Sequence, residues 1–195
     1  KQNFGSALWL AVDVCLCSYT THGHCGVLNH EGDHVDNTAS VHELAKTAQT
    51  SPATVNRYLR LLEQSFIIKI IRSFSNNPRT EIKKAFKIYF YDIGIRNVLA
   101  GINEEIENRQ DKGFIFENFY FCELLKRHSL EIFPPEIMFW RTRQKLEIDF
   151  IEKNGLSILA TECKWSNQDV SFSQFLKKYP NSKTQVVSLE NFYTK

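Results

Sequence analysis

The chain has 195 residues, is 43% hydrophobic and 24% charged, and carries a net charge of +2. These values are ordinary for a globular protein of one or two domains, and no repeat or low-complexity tract interrupts the pattern. The apolar run Ala7–Cys17 is too short to cross a bilayer and carries Asp13, and there is no secretory signal. Five cysteines, an odd count, therefore point to a reducing, cytoplasmic setting with no membrane partner.

Residues 1–39 form a first segment. Phe4–Cys17 has the composition of a buried helix, and Tyr19–Thr38 reads as a polar loop rich in Gly and His. Cys15, Cys17, His22, His24, Cys25, His30 and His34 could supply zinc, but their spacing is not that of a standard finger. A loop with incidental thiols is the reading preferred here over zinc. The chain opens on Lys1 rather than Met, so a fragment of a longer protein is expected.

Residues 40–92 read as a winged helix-turn-helix. Ser40 can cap a helix over Val41–Ala48, and Ser51-Pro52 supplies a cap and the favoured first position of a second helix, Pro52–Gln64. Val55, Leu59 and Leu62 form its inward stripe. Thr54, Arg57 and Arg60 point the other way, where a recognition helix carries DNA contacts. Phe66–Ile71 and Lys87–Tyr91 are strand-like and would form the wing. Between Arg57 and Lys87 lie eight Lys/Arg against only Glu63 and Glu81, a candidate phosphate-facing surface that includes Lys83 and Lys84. Solvated lysines are the commoner meaning of such a patch.

Residues 93–195 read as an α/β unit. A helix is expected over Phe114–Arg127 and a hairpin over Ile137–Arg141 and Leu146–Glu152. A third strand over Ser157–Lys164, a helix over Ser171–Tyr179 and a strand over Gln185–Leu189 follow. Strands interleaved with helices in this way suggest a mixed sheet with helices on its faces, α+β for the chain overall. Trp140 and Trp165 are expected as packing aromatics, and Asp92-Ile93-Gly94 as a strand end followed by a turn. Arg141, Arg143 and Lys145, at the hairpin turn, are candidates for phosphate contact, with a solvated turn as the equal alternative.

The chemistry is concentrated in a few charged residues. Strand periodicity puts Glu162 with Lys164 on one face and Glu147 with Asp149 on another. If these strands pair with the two faces aligned, Asp149 and Glu162 converge. Two hard oxygen ligands suit Mg²⁺, which acidifies water and neutralises phosphate charge. Lys164 would orient that water or hold the phosphate. Glu117 shares a helical face with Phe121 and Leu124, so burial would leave its carboxylate in need of a cation. From spacing alone, simple edge charges or a structural ion pair are the favoured reading, because clustered charges also occur for structural reasons.

A set of short stretches in fixed order adds to this. They are Glu43-Leu44-Ala45, Thr54-Val55-Asn56-Arg57-Tyr58-Leu59, Leu62-Glu63, Lys87-Ile88-Tyr89-Phe90-Tyr91-Asp92-Ile93-Gly94, Glu117-Asn118-Phe119, Trp140-Arg141-Thr142, Glu147-Ile148-Asp149-Phe150 and Glu162-Cys163-Lys164. Across residues 40–190 the chain resembles the C-terminal region of prokaryotic AAA-type ATPases, an uncharacterised tail that follows the ATP-binding module. The resemblance implies a winged helix followed by a restriction-endonuclease-like domain of the PD-(D/E)XK class over residues 93–195. It puts Glu117, Asp149, Glu162 and Lys164 on the catalytic positions of that class, with Asp149 and Glu162 as Mg²⁺ ligands. DNA and the ATPase module are the implied partners. No Gly-x4-Gly-Lys-Ser/Thr occurs, so ATP would belong to a preceding module, and residues 1–39 depart from the family pattern. The alternative is a non-catalytic module that binds DNA or protein.

Overall fold

The computed structural model describes residues 37–75, 85–142 and 146–192. The zinc reading of the His/Cys-rich segment, Lys83, Lys84, Arg143 and Lys145 all fall outside the described residues. The described elements mix helices and strands in an α+β arrangement.

Two helices open it, α1 (Asn37–Thr47) and α2 (Pro52–Gln64). The first begins at Asn37, so Ser40 lies inside it and is not its cap. The second starts where the sequence signals it: Ser51 Oγ accepts from the Thr54 amide at 3.1 Å, and Pro52 follows the cap. Both helices close with the same paired turn. Thr50 N donates to Ala45 O and Gln49 N to Lys46 O; at the next helix Ile67 N donates to Leu62 O and Phe66 N to Glu63 O. This closure puts one residue in the left-handed region, usually glycine. Here Gln49 (φ 50°) and Phe66 (φ 55°) occupy it, a strained choice for residues with a Cβ.

Strands β1 (Ile68–Arg72) and β2 (Phe86–Phe90) pair antiparallel, with Ile70 opposite Ile88. Val41, Leu44 and Ala45 of α1, Val55 and Leu59 of α2, and Ile68 and Phe90 of the hairpin form one core, with Phe86 and Ile88 packed against it. These are the odd-even partners of Lys87 and Tyr89, which therefore leave the opposite face of β2.

After β2, Asp92 caps α3 (Ile93–Leu99), its Oδ1 accepting from the Ile95 amide at 2.9 Å. A helix start thus replaces the turn expected at Asp92-Ile93-Gly94. A Cβ on Gly94 would stand 2.9 Å from that same oxygen, which explains a residue without one. Arg96 and Arg109 both donate to Asp111, which precedes α4 (Lys112–His128) and fixes its start.

Strands β3 (Glu136–Arg141), β4 (Glu147–Asn154), β5 (Ser157–Lys164) and β6 (Lys183–Ser188) form one mixed sheet in that order. The first three are antiparallel, and β6 runs parallel to β5 after α5 (Ser173–Lys178). On one face α4 packs Phe116, Tyr120, Phe121 and Leu124 against Phe139, Phe150, Cys163 and Val187. On the other, α5 sets Phe175 with Tyr179, Trp140, Met138, Ile151 and Ala160. Coverage on both faces is why Ile148–Glu152 is buried without alternation.

The two sheets meet. Phe74 N donates to Phe139 O at 2.6 Å beside a parallel bridge between Ser73 and Phe139. Tyr89 of β2 stacks on Phe121 at 4.6 Å and touches Phe150, so it belongs to the α4 core.

Candidate functional site

The site forms where β2, α4, β4 and β5 converge, and its centre is a residue that sequence reasoning assigned elsewhere. Lys87 was counted in the basic surface. In the fold its side chain is only 17% exposed and its ammonium donates into a ring of carboxylates. The contacts are Glu117 Oε1 at 2.8 Å, Glu147 Oε1 at 2.6 Å and Asp149 Oδ1 at 3.1 Å. A lysine ammonium has three N–H donors, and here each has a carboxylate.

Glu117 is reached from two residues of β2. Its Oε1 accepts from Lys87 and from the Tyr89 hydroxyl. The next residue of α4, Asn118, pairs with the backbone of Phe90: Nδ2 donates to the carbonyl at 2.7 Å and Oδ1 accepts from the amide at 2.8 Å. Glu117-Asn118 therefore fastens α4 along β2. Burial, and then the neighbouring Asp149, raise the Glu117 carboxyl above its ordinary range, although Lys87 and Tyr89 pull against the shift. Burial pushes the Tyr89 hydroxyl well up, and Glu117 pushes it further.

On β4 the side-chain alternation slips. Ile148 packs on the α5 face and Phe150 on the α4 face, although two residues apart on a regular strand share a face. The pairing with β3 shifts by one residue at the same level, between Met138 and Trp140. Asp149 sits at this slip, and irregularities of this kind re-aim side chains. Glu147 joins it at Lys87 and also pairs with Arg141. Burial works to raise the Glu147 carboxyl, but Lys87 and Arg141 outweigh it and hold it below the usual range. Arg141, a candidate phosphate contact by sequence, is committed to this ion pair, its guanidinium 6.0 Å from the centre of the Phe139 ring.

Asp149 and Glu162, expected to converge if their strands paired in register, lie on neighbouring strands β4 and β5. The β4–β5 pairing runs from Asn154 with Ser157 to Phe150 with Thr161, and Asp149 and Glu162 each lie one residue beyond that last pair. Asp149 Oδ2 accepts from the Cys163 amide at 3.0 Å, turning that oxygen towards β5 while Oδ1 faces Lys87. Glu162 is 9% exposed. Its Oε1 accepts from Lys164 at 2.8 Å, while its Oε2 is buried with no hydrogen-bond partner. Burial and the adjacent Asp149 push its carboxyl up to about 7. Burial works to lower the Lys164 ammonium, but Glu162 more than offsets it and raises it. Cys163, between them, is raised well above the thiol range by burial and Asp149, which makes it an inert thiol.

A divalent ion fits the pair Asp149 and Glu162: the orphaned Glu162 Oε2 lacks a partner that such an ion would provide, and both donors are the hard oxygens it favours. Among the described residues no group of three or more His, Cys, Asp and Glu is arranged to hold a metal. Of the four acids gathered here, three are drawn onto Lys87. No helix among the described residues is long and apolar enough to cross a membrane.

On the first unit, Arg57 and Arg60 are exposed on α2, with Arg60 Nε donating to Asn56 O, and Thr54 is half-buried against Ser51. Sequence reasoning missed Lys87, Tyr89 and Asn118. The signal available was that Lys87 and Tyr89 alternate with Phe86, Ile88 and Phe90, so an apolar face was already filled and a tyrosine shared the other.

The fold and site define an α+β protein with a buried acidic centre. Residues 112–193 match the family model described as domain of unknown function DUF4143, a domain typically found in AAA-ATPase-associated proteins. Residues 27–106 match the model described as domain of unknown function DUF8612. Uncharacterised proteins of Mycobacterium tuberculosis and Mycobacterium bovis are each 27% identical over 116 residues, 58% of this chain and 25% of their own length. The chain thus spans about a quarter of these relatives. A delta-aminolevulinic acid dehydratase of Staphylococcus epidermidis is 47% identical over 48 residues, 25% of this chain and 15% of the dehydratase. No solved structure matches the chain.

Proposed function

We propose that this chain is part of the C-terminal region of an AAA-type ATPase, acting in the cytoplasm, and that its sheet carries a Mg²⁺-dependent site for phosphodiester hydrolysis. The observation that carries the reading is the unpartnered, buried Glu162 Oε2 beside Asp149, with Lys164 bonded to the other Glu162 oxygen. Asp149 and Glu162 would hold the ion. When bound, it supplies charge opposite the phosphoryl oxygens and a more acidic water. Lys164 spends one N–H on Glu162 and is about a third exposed, so its remaining donors can hold a phosphate oxygen or orient a water. Glu117 acts through Lys87 and Tyr89 by keeping β2 against the site.

Calorimetric titration of Mn²⁺ into the parent and into Asp149→Ala, followed by cleavage assays on linear and branched DNA, tests the reading. Saturable binding and cleavage, both lost in Asp149→Ala, are the expected result. A parent that binds no ion and cuts neither substrate would remove it.

A second reading is a binding module without catalysis. It is favoured by the exposed Arg57 and Arg60 on a capped helix that packs, with α1, against a two-stranded antiparallel hairpin, an arrangement that supports a winged helix. DNA held by those arginines would dissociate steeply with rising salt, whereas an apolar dock on the ATPase module would not.

A further inference from the structure

We propose that the gap between β1 and β3 is a docking cleft for an extended peptide segment of a partner protein. The segment pairs with the edge of β3 and lays alternate apolar side chains on the loop after α4. None of the acids around Lys87 lines this cleft, so the inference does not rest on the metal-site reading.

Main-chain bonding fixes which groups face the gap. Ser73 N donates to Ala85 O, and Tyr91 N donates to Ile67 O, so odd-numbered residues along β1 bond towards β2. The even-numbered ones look away: Ile70 N reaches Glu63 Oε1 at 3.2 Å, and Phe74 N reaches Phe139 O at 2.6 Å. Phe139 of β3 therefore faces β1, and by alternation so does Ile137. Continued from the parallel bridge at Ser73 and Phe139, the two strands would next pair at Ile71 and Ile137. Among the described residues that bridge stays isolated. A cavity of about 540 Å³ opens there instead, between Ile70–Arg72 on one side and Glu136–Met138 on the other. Pro134 and Pro135, which have no amide hydrogen to give, stand at its wall.

The lining favours an extended chain over a compact ligand. What β3 turns into the cavity is main chain, a donor and an acceptor at Ile137, and the complement of a strand edge is another strand. The β1 side is the poorer edge, since Glu63 already holds the Ile70 amide. Phe121 and Leu125 of α4 give the cavity an apolar lining. Residues 129–135 supply Ser129, Pro134 and Pro135 to the wall, and between them Leu130, Ile132 and Phe133 are 91, 88 and 79% exposed. Clustered apolar groups left in water mark an interaction surface. His128, itself in the lining, bonds Glu131 Oε1 at 2.7 Å and so ties this loop to the cavity. A strand laid along β3 sends its side chains alternately to opposite faces, which suits a segment with apolar residues at every second position.

The test uses fluorescein-labelled, end-blocked peptides of about six residues. Serine alternates with valine, leucine or phenylalanine in the three peptides, and each has a counterpart with every amide N-methylated. Binding to the full chain is read by anisotropy, and its place by hydrogen exchange. At least one peptide is expected to bind saturably, with its methylated counterpart about tenfold or more weaker. Exchange at the Ile137 amide should slow in the complex. Leu130→Ser with Phe133→Ser, both at exposed positions, should weaken binding about tenfold and leave the melting temperature unchanged. Equal binding of a peptide and its methylated form overturns the inference. So does protection that falls on β6, the other edge of the four-stranded sheet, in place of β3. Affinity untouched by the loop pair, or no binding by any of the three peptides, overturns it as well.

Discussion

Charge is used in opposite ways in two regions of this molecule. On α2, Arg57 and Arg60 stand in solvent and serve no core. Around β2, Lys87, Glu117, Glu147 and Asp149 are largely withdrawn from water and satisfy one another. Exposed charges cost little to remove and act mainly on partners. Buried sets are costly to break, because every loss strands a charge. The comparison teaches where a mutation will report on binding and where it will report on folding.

Lys87→Gln is the strongest attempt to break that contrast. Leaving three buried carboxylates without their cation should cost about 3–5 kcal/mol in metal-free denaturant unfolding. A loss under about 1 kcal/mol would put Lys87 in the same class as the surface arginines.

Glu162 sharpens the buried side through pH. Its carboxyl stands at about 7 in the fold against an ordinary 4.5. The folded chain therefore keeps a proton that the unfolded chain has lost between those values. Its contribution to stability is full below the ordinary value and declines as pH climbs through 7. Glu147, lowered in the fold, contributes the opposite way: its stabilisation is present above the ordinary carboxylate value and lost in acid. On the metal-site reading, uptake of an ion at Asp149 and Glu162 should release about one proton at pH 6 and almost none at pH 8.5. Calorimetry in buffers of different ionisation enthalpy measures this, and equal release at both values would detach Glu162 from the ion.

Ser51→Ala tests the exposed side by a local route. Losing the cap should cost about 1 kcal/mol in unfolding and leave metal binding unchanged. A shift in metal affinity would mean that α2 and the acid centre are coupled.

The smallest stability effect belongs to Arg57→Ala with Arg60→Ala, within about 0.5 kcal/mol of the parent. On the DNA-binding reading, the same pair should lower the salt slope of DNA binding by about 2. An unchanged slope removes α2 as the recognition element.

Much of the scaffold was legible because local signals agreed. Ser51-Pro52 marked the α2 start, and Val55, Leu59 and Leu62 marked its stripe. Ser157–Lys164 came through as a strand because a short apolar run, Ile158–Ala160, opens a segment bounded by Gly155 on one side and Ser166 on the other. The pairing of β4 with β5 was legible as a conditional, since period two is reliable once a register is given. What stayed hidden was long-range. Nothing near Lys87 in sequence shows that Glu117, Glu147 and Asp149 will surround it, so a lysine among seven other basic residues reads as surface. The slip at Asp149 was hidden for a related reason: it is a property of pairing with β3, and a single strand carries no trace of it. Asp92 failed differently. Its side chain could cap as readily as turn, and the helix after it decided the outcome.

Strand β2 belongs to both halves at once. Phe86, Ile88 and Phe90 complete the α1–α2 core, while Lys87 and Tyr89 complete the acid centre and the aromatic stack. A cut at residue 92, where the expected winged helix ends, would leave the downstream fragment with an uncompensated acidic hollow and a missing ring. The two halves should accordingly melt in one transition, and neither should be transplantable into another protein unless this five-residue strand travels with it.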